Sequence, residues 1–291
     1  MSPVEPNNSL SISVVIPSVA PGWRLDRALA SAYCQTYKPL EIIIVVDGPG
    51  EKPEWALPKN MQNARVIFTG KASSAANARN QGVHASRGEI IAFLDDDDFW
   101  CPHTLESYHR VFTLGAVATY CLATTGSSRR AGKVTRPGPD QAGFADMAFR
   151  TFINTVSAFA IRRSLWDKIG GFAVDLPLAE DLDYYLRILS IASISKIQEI
   201  LVSREITGSG LTSRHKEWSR CLVHVLKRNM ETARQQKSSV RFLLGILRRQ
   251  LRLLLIARPI SGNTRFILRN IGSTLASSLP SKIGIRDLKP R

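Results

Sequence analysis

Residues 89–98 read EIIAFLDDDD, an apolar, β-branched and aromatic run that ends in four consecutive aspartates. A run of that length, preceded by the helix stop Arg87-Gly88, is a buried strand, Glu89–Leu94. Working outward, Ser74–Ser86 has a helical pattern, and Ala64–Phe68 is another short strand. Leu40–Asp47 (LEIIIVVD) is a buried strand stopped by Gly48-Pro49-Gly50. Trp23–Gln35 spaces Leu25, Ala28, Leu29 and Ala32 as one helix face, and Ser11–Pro17 (SISVVIP) is a strand ended by proline. Strand, helix, strand, strand, helix, strand over the first 94 residues implies βαβ units. The expected architecture is α/β and Rossmann-like, a mostly parallel central sheet flanked by helices. Ligands should bind at the strands' C-terminal ends.

Downstream, Phe99–Tyr108 reads as a helix for which Asp98, with Pro102 and Glu106, would serve as the N-terminal cap. Val117–Ala123 and Phe159–Ile161 are strand candidates, Ser164–Ile169 is a helical turn, and Glu180–Ile191 is a helix. Gly126–Gly143 reads as a long loop carrying Arg129, Arg130, Lys133 and Arg136. From Lys216 onward the pattern is helical and basic.

Composition narrows the class. The 291 residues are 44% apolar and 22% charged, which excludes a disordered or fibrous chain. The net charge of +15 is unevenly placed. Residues 1–213 hold 21 basic and 21 acidic side chains, whereas residues 214–291 hold 18 and 3. A neutral body with a basic tail suggests a catalytic or binding domain held near something anionic. Cys34, Cys101, Cys121 and Cys221 lack paired spacing, which argues against zinc and disulfides and fits a reducing cytoplasm. The N-terminus has no secretory pattern, and the richest apolar stretch, Phe242–Ile256, is interrupted by Arg248, Arg249 and Arg252.

Four adjacent aspartates at a strand end repel one another unless a cation or hydrogen-bond donors neutralise them. One or two carboxylates, with water and phosphate completing the shell, is what Mg²⁺ or Mn²⁺ needs when it holds a diphosphate. The alternative is a solvated acidic turn.

At these residues the chain resembles a known family. SVVIPSVAPGWRLDRALASAYCQTYKPLEIIIVVDGP, ANARNQGVHASRGEIIAFLDDDDFWCPHTLE, GGF and AEDLDYYLRI occur in an order and spacing similar to inverting family-2-type glycosyltransferases of the GT-A fold. The resemblance covers residues 11–213. It implies a nucleotide-diphospho-sugar donor (UDP-, GDP- or dTDP-linked) and a divalent cation, Mn²⁺ or Mg²⁺, held by a D-x-D motif. Carried over by position, Asp95 and Asp97 are the D-x-D pair. Asp97 is the direct metal ligand, Asp95 lies nearer the ribose, and Asp96 sits between them on the donor side. Asp47 would contact the nucleobase, Pro17, Ser18 and Val19 would border it, and Arg79 would face the nucleotide. Glu180-Asp181 matches the ED motif, whose aspartate is the general base, with Asp183 as second choice. Ser203-Arg204, followed by Ser209 and Thr212, resembles a loop that closes over the diphosphate; Arg204 or His215 would reach it. The QxxRW mark of processive synthases is not found, which implies transfer of a single sugar.

These readings divide the chain into an N-terminal tail (1–10), a GT-A catalytic domain (11–213) and a basic helical region (214–291). In the last, Arg241, Arg248, Arg249 and Arg252 form one helix face opposite Leu243, Leu247 and Leu254. That pattern suits an anionic membrane surface at the inner face of the cell membrane, or leucines packed on the catalytic domain with solvated arginines. Nucleic acid is disfavoured because the tail lacks interleaved aromatics, and a homo-oligomer is a further option. The expected acceptor is a glycan or glycolipid of the cell surface. Competing functions are a sugar-phosphate nucleotidyltransferase, whose glycine-rich N-terminal loop IPSVAPGW replaces, and a noncatalytic sugar-nucleotide-binding protein.

Overall fold

The computed structural model describes residues 10–48, 57–58, 61–70, 73–127, 130–140, 142–205, 214–256 and 266–272. Residues 1–9, Arg129, Ser209, Thr212, the His215 side chain and the basic tail beyond 272 lie outside the described set.

β1 (Ile12–Ser18) lies inside the sheet, with β2 (Glu41–Val46) and then β3 (Ala64–Phe68) on one side and β4 (Ile90–Phe93) on the other. All four run parallel. Every residue of β1, β2 and β4 is buried, which is why these segments read as unbroken apolar runs instead of alternating ones. Beyond β4 the sheet changes character. β8 (Phe159–Arg162) pairs antiparallel with β4, and β6 (Ala118–Ser127) pairs antiparallel with β8. β9 (Ser195–Glu205) joins β6 in parallel, and β5 (Asp98–Trp100) closes the edge antiparallel to β9. The expected parallel order therefore holds for the first four strands and gives way to a mixed half.

The chain leaves β1 toward β2 and returns through β4 on the other side of β1. The loops after β1 and β4 consequently part, and a crevice opens at the strands' C-terminal ends. Two helices fix its walls. α1 (Trp23–Tyr33) buries Leu25, Ala28, Leu29 and Ala32, as their spacing predicts. α2 (Ala75–Ala85) starts at Ser74, whose hydroxyl accepts the Asn77 amide. Gly82 seats α2 directly on the sheet, because a Cβ there would overlap the Val15 Cγ1 methyl of β1.

Three local expectations need correction. Phe99–Tyr108 is not a helix capped by Asp98: Asp98–Trp100 forms β5, and α3 (Thr104–Thr113) starts beyond Pro102. Pairing of Asp98 with Arg204 and of Trp100 with Val202 on β9 overrides the local helix signal. The Gly126–Gly143 segment is not one loop. β6 continues to Ser127 and pairs with β7 (Arg130–Val134), placing Thr125 opposite Lys133 before α4 (Phe144–Phe149). Finally, Ser203 and Arg204 stand on strand β9 and not on a closing loop.

The helices α5 (Arg163–Ile169), α6 (Glu180–Leu189), α7 (His215–Gln235) and α8 (Ser239–Ile256) cover the mixed half. No described helix is long and apolar enough to cross a membrane. Leu222, Val225 and Leu226 of α7, with Phe242 and Ile246 of α8, share one buried cluster with Phe144, Met147, Tyr184 and Tyr185. Packing is thus continuous across residue 214. The wheel reading of α8 changes accordingly. Its buried face is Phe242, Ile246 and Leu253, while Leu244 and Leu251 point outward. Arg241 pairs with Asp146, Arg248 lies over the Phe149 ring, and Arg249 donates to the Met147 and Ala148 carbonyls and to Thr151 Oγ1. A wheel separates the faces of a helix but cannot say which one meets the core. Here the unsatisfied carbonyls ending α4 draw in the arginine.

Gly82→Ala is expected to lower stability by about 1–3 kcal/mol in chemical denaturation, because the added methyl must displace Val15 or lift α2. A midpoint equal to the wild type would show that α2 is not held by this close approach.

Candidate active site

The crevice encloses about 220 Å³ and is walled by Pro17, Ser18 and Val19 after β1, Asp47 after β2, Arg79 of α2, and Asp95, Asp96 and Asp97 after β4. These residues lie on four separate segments of the chain and meet only at the carboxyl ends of the parallel strands. Of the described donor-side candidates drawn from the sequence, Arg204 alone lies elsewhere.

The four aspartates, alike in sequence, have four different environments. Asp95 Oδ1 accepts from the Arg79 guanidinium at 2.7 Å, and the Asp95 amide donates to Ser157 Oγ. Asp96 accepts from the Ser18 hydroxyl at 2.5 Å, and burial pushes its carboxyl above the usual range. Asp98 is buried and accepts from Ser157 Oγ at 2.6 Å and Thr155 Oγ1 at 2.7 Å. Burial and then the neighbouring Asp95 charge push it up to about 7. Asp97 receives no side-chain donor among the described residues, and burial followed by the Asp95 charge again pushes its carboxyl up.

Asp97 therefore presents free oxygens to the crevice, beside the remaining oxygen of Asp95. Asp97, a hard carboxylate adjacent to Asp95 and with no side-chain donor among the described residues, fits a Mg²⁺- or Mn²⁺-sized cation. Among the described residues no three His, Cys, Asp or Glu side chains converge on a metal-sized point. Two carboxylates would leave the other positions to water and phosphate, as such cations favour when they carry a diphosphate. Asp47 is already engaged. Its oxygens accept from Thr69 Oγ1 and from the Ser73 amide and hydroxyl, fixing the segment that leads into α2.

A larger cavity of about 590 Å³ adjoins the crevice and shares Arg79 and Asp95 with it. Glu180 and Asp181 line it from the N-terminus of α6. The residue before them, Ala179, is left-handed (φ 63°, ψ 18°), a conformation unfavourable for a side chain with a Cβ and common where a site fixes its backbone. Burial pushes the Asp181 carboxyl up, while the Leu182 amide and the charges of Arg79 and Arg204 pull it down. Burial and the Asp181 charge likewise raise Glu180, against the pull of Arg79, which donates to it at 3.0 Å. Arg79 thus bridges Asp95 and Glu180 while only 4% exposed, with its guanidinium 5.4 Å from the Phe172 ring. The sequence had assigned Arg79 to the nucleotide alone. The fold makes it a brace between the two cavities.

Asp183 is excluded from the site. It is 1% exposed, accepts from Arg187 at 2.9 Å and Asn229 at 3.1 Å, and ties α6 to α7. Arg204 reaches the larger cavity from β9, donates to the Asn154 carbonyl at 3.0 Å, and lowers the proton affinity of both Asp97 and Asp181 by its charge. Gly170 ends α5 at φ 75°, as its position predicts. Gly171 passes so close to Asn80 that a Cβ would sit 2.5 Å from its side chain, and Asn80 pairs with both backbone polar groups of Phe172.

Sequence reading missed Thr155 and Ser157, which no motif marks, and Trp218 and Arg249, which α7 and α8 contribute to the larger cavity. Arg249 had one available signal. Gly245 stands one turn earlier, where a Cβ would overlap the Ala148 carbonyl, and a glycine amid leucines marks close helix contact.

The sequence profile described as Glycosyl transferase family 2 matches residues 13–170. An uncharacterized glycosyltransferase of Bacillus subtilis, YwdF, is 33% identical over 186 residues, covering 61% of this chain and 68% of the relative. The UDP-Glc:alpha-D-GlcNAc-diphosphoundecaprenol beta-1,3-glucosyltransferase WfaP of Escherichia coli is 33% identical over 91 residues, 31% of this chain and 36% of its own. In three other relatives the matched part spans 33% to 66% of their length. Among solved structures, S. aureus TarS 1–349 in complex with UDP-GlcNAc superposes with a TM-score of 0.70 at 15% identity, over 93% of this chain and 82% of that one. The Pyrobaculum calidifontis mannosyltransferase PcManGT, in complex with GDP-Man and Mn²⁺, gives 0.60 at 15% identity, over 93% and 76%. At that identity the two structures speak for the fold alone, which is the GT-A fold.

Asp97→Asn is expected to abolish Mn²⁺ binding measured by calorimetry in the presence of UDP or GDP, with an unchanged melting temperature. Asp98→Asn should bind Mn²⁺ as the wild type does, since its carboxyl is turned into the protein. The reverse result would move the ligand role to Asp98.

Proposed function

The chain belongs to glycosyl transferase family 2, and from that membership we propose that it moves one sugar from a nucleotide-diphospho-sugar to an acceptor hydroxyl with inversion at the anomeric carbon. The observation that carries the reading is the Arg79 bridge. It sets the donor-side carboxylate Asp95 and the acceptor-side pair Glu180-Asp181 on either side of one guanidinium. An inverting transfer needs this division, because leaving group and nucleophile act on opposite faces of the same carbon.

In this reading the nucleotide lies along Pro17–Val19 and Asp47, and the diphosphate lies near Asp95 and Asp97. Asp97 and Asp95 would hold Mn²⁺ or Mg²⁺, which when bound neutralises charge on the diphosphate. Asp181 accepts the acceptor hydroxyl's proton as the new C–O bond forms and the bond to the diphosphate breaks, with the electron pair leaving on the diphosphate oxygen. Arg204, between Asp97 and Asp181 in its electrostatic influence, offers positive charge to the departing phosphates. Because Arg79 and Arg204 partly offset the burial of Asp181, the base remains able to ionise.

The donor is a UDP-, GDP- or dTDP-sugar. UDP-GlcNAc and GDP-Man in the two related structures support that class. The acceptor is a glycan or glycolipid of the cell surface, supported by the lipid diphosphate in WfaP's name. A noncatalytic sugar-nucleotide-binding protein would need no carboxylate aimed into the second cavity. A nucleotidyltransferase would need a glycine-rich loop where IPSVAPGW stands.

The test is a screen of labelled UDP-, GDP- and dTDP-sugars with Mn²⁺, reading transfer or slow donor hydrolysis. One donor should turn over. Asp181→Asn should keep its affinity and lose roughly 10² or more in kcat. Asp183→Asn should instead lower stability and leave the pH dependence unchanged, since its carboxylate serves Arg187 and Asn229. In the wild type, kcat should fall as pH drops through the raised Asp181 value, so its acid limb should lie above the ordinary carboxylate range. Donor affinity with no turnover of any donor would favour the noncatalytic reading.

A further inference from the structure

The outward face of α8 has a character that the reaction does not require. Val240, Leu244 and Leu251 are 73%, 51% and 52% exposed and follow at i, i+4 and i+11. At about 3.6 residues per turn they form one stripe on the side of the helix opposite Arg249, the residue that lines the acceptor cavity. Along one flank of the stripe lie Arg241, Arg248 and Arg252, again at i, i+7 and i+11. The Arg252 side chain is exposed and Arg241 remains 58% exposed although it pairs with Asp146. One helix therefore has a core-facing side, an apolar outer side and a cationic shoulder.

We propose that this stripe docks α8 flat against an anionic phospholipid surface, with the leucines at the headgroup–acyl boundary and the arginine flank on the phosphates. Charge decides between occupants. α8 itself carries Arg241, Arg248, Arg249 and Arg252 and no acidic side chain, so two copies meeting here would bring like charges together. Three apolar side chains also fall well short of the roughly 1,200 Å² that a stable protein interface buries. A lipid surface needs no partner of matching shape, accepts a narrow apolar stripe, and attracts cations near it. Nucleic acid would use the arginines but leave the leucines in water. The docking argument rests on α8 alone and is independent of the proposed reaction.

The experiment is co-sedimentation of the full chain with vesicles of phosphatidylcholine alone or with about one third phosphatidylglycerol. Wild type should bind the anionic vesicles and release them as salt rises, because screening shortens the reach of the arginines. Leu244→Glu with Leu251→Glu should weaken binding at least tenfold at unchanged melting temperature, since both side chains already face outward. Arg248→Gln with Arg252→Gln should weaken it about tenfold and remove much of the salt dependence. Equal binding to neutral and anionic vesicles, or binding indifferent to the leucine variant, would overturn the proposal. So would a dimer in size exclusion that the leucine variant converts to monomer, which would mean that a second copy covers the stripe.

Discussion

The guanidinium of Arg79 is the interaction on which the site depends. It is buried, so its desolvation must be offset, and it is offset by two carboxylates from distant parts of the chain. Asp95 ends a central parallel strand, and Glu180 opens a helix on the mixed half of the fold. Removing the arginine would leave the half-buried carboxylates of Asp95 and Glu180 facing each other without a counter-charge. Lysine could not replace it, because one ammonium lacks the planar fork that meets two carboxylates in fixed directions. The brace in turn needs α2 close to the sheet, which Gly82 permits, and the Phe172 ring against the guanidinium, which Asn80 fixes through its backbone. A glycine in a helix, an asparagine and a phenylalanine in a turn thus converge on the orientation of one side chain.

The aspartate run shows how a fold assigns different tasks to identical residues. Asp96 and Asp97 form a turn, closed by the Asp98 amide on the Asp95 carbonyl, before β5 begins. Asp98, at the start of β5, is turned inward onto Ser157 and Thr155, whereas Asp97 is left without a donor. Ser157 links the arrangement, because its hydroxyl also accepts the Asp95 amide. Inward hydrogen bonding of Asp98 fixes the backbone on which Asp97 is presented. A run of four is therefore neither redundant nor a simple concentration of charge.

What could be read from the sequence follows burial. β1, β2 and β4 are buried on both faces, so their composition alone identifies them. Their order then dictates the crevice and the residues that border it. The second half was obscure because its strands are defined by partners and not by composition. β5 is three residues long and exists by pairing with β9, and β7 is a polar strand paired with β6. The resemblance carried Asp181 to the cavity wall, but nothing in EDLDYY distinguishes Asp181 from Asp183. Which one faces the cavity depends on the left-handed Ala179 and on Asn229, which lies 46 residues beyond Asp183.

The basic C-terminal region reads differently once the packing is known. From sequence it reads either as a membrane-binding helix or as leucines packed on the catalytic domain with solvated arginines. α7 and α8 bring Trp218 and Arg249 to the larger cavity, so the segment with the excess charge also builds part of its wall. Burial pushes the Arg249 guanidinium down to about 10, still well above neutral pH, and its N–H groups donate to carbonyls of α4 and to the Thr151 hydroxyl. An arginine held by neutral acceptors keeps most of its field for the surroundings, and Asp181 is the carboxylate that feels it. The larger cavity is therefore shaped in part by residues beyond the matched profile, which ends at residue 170.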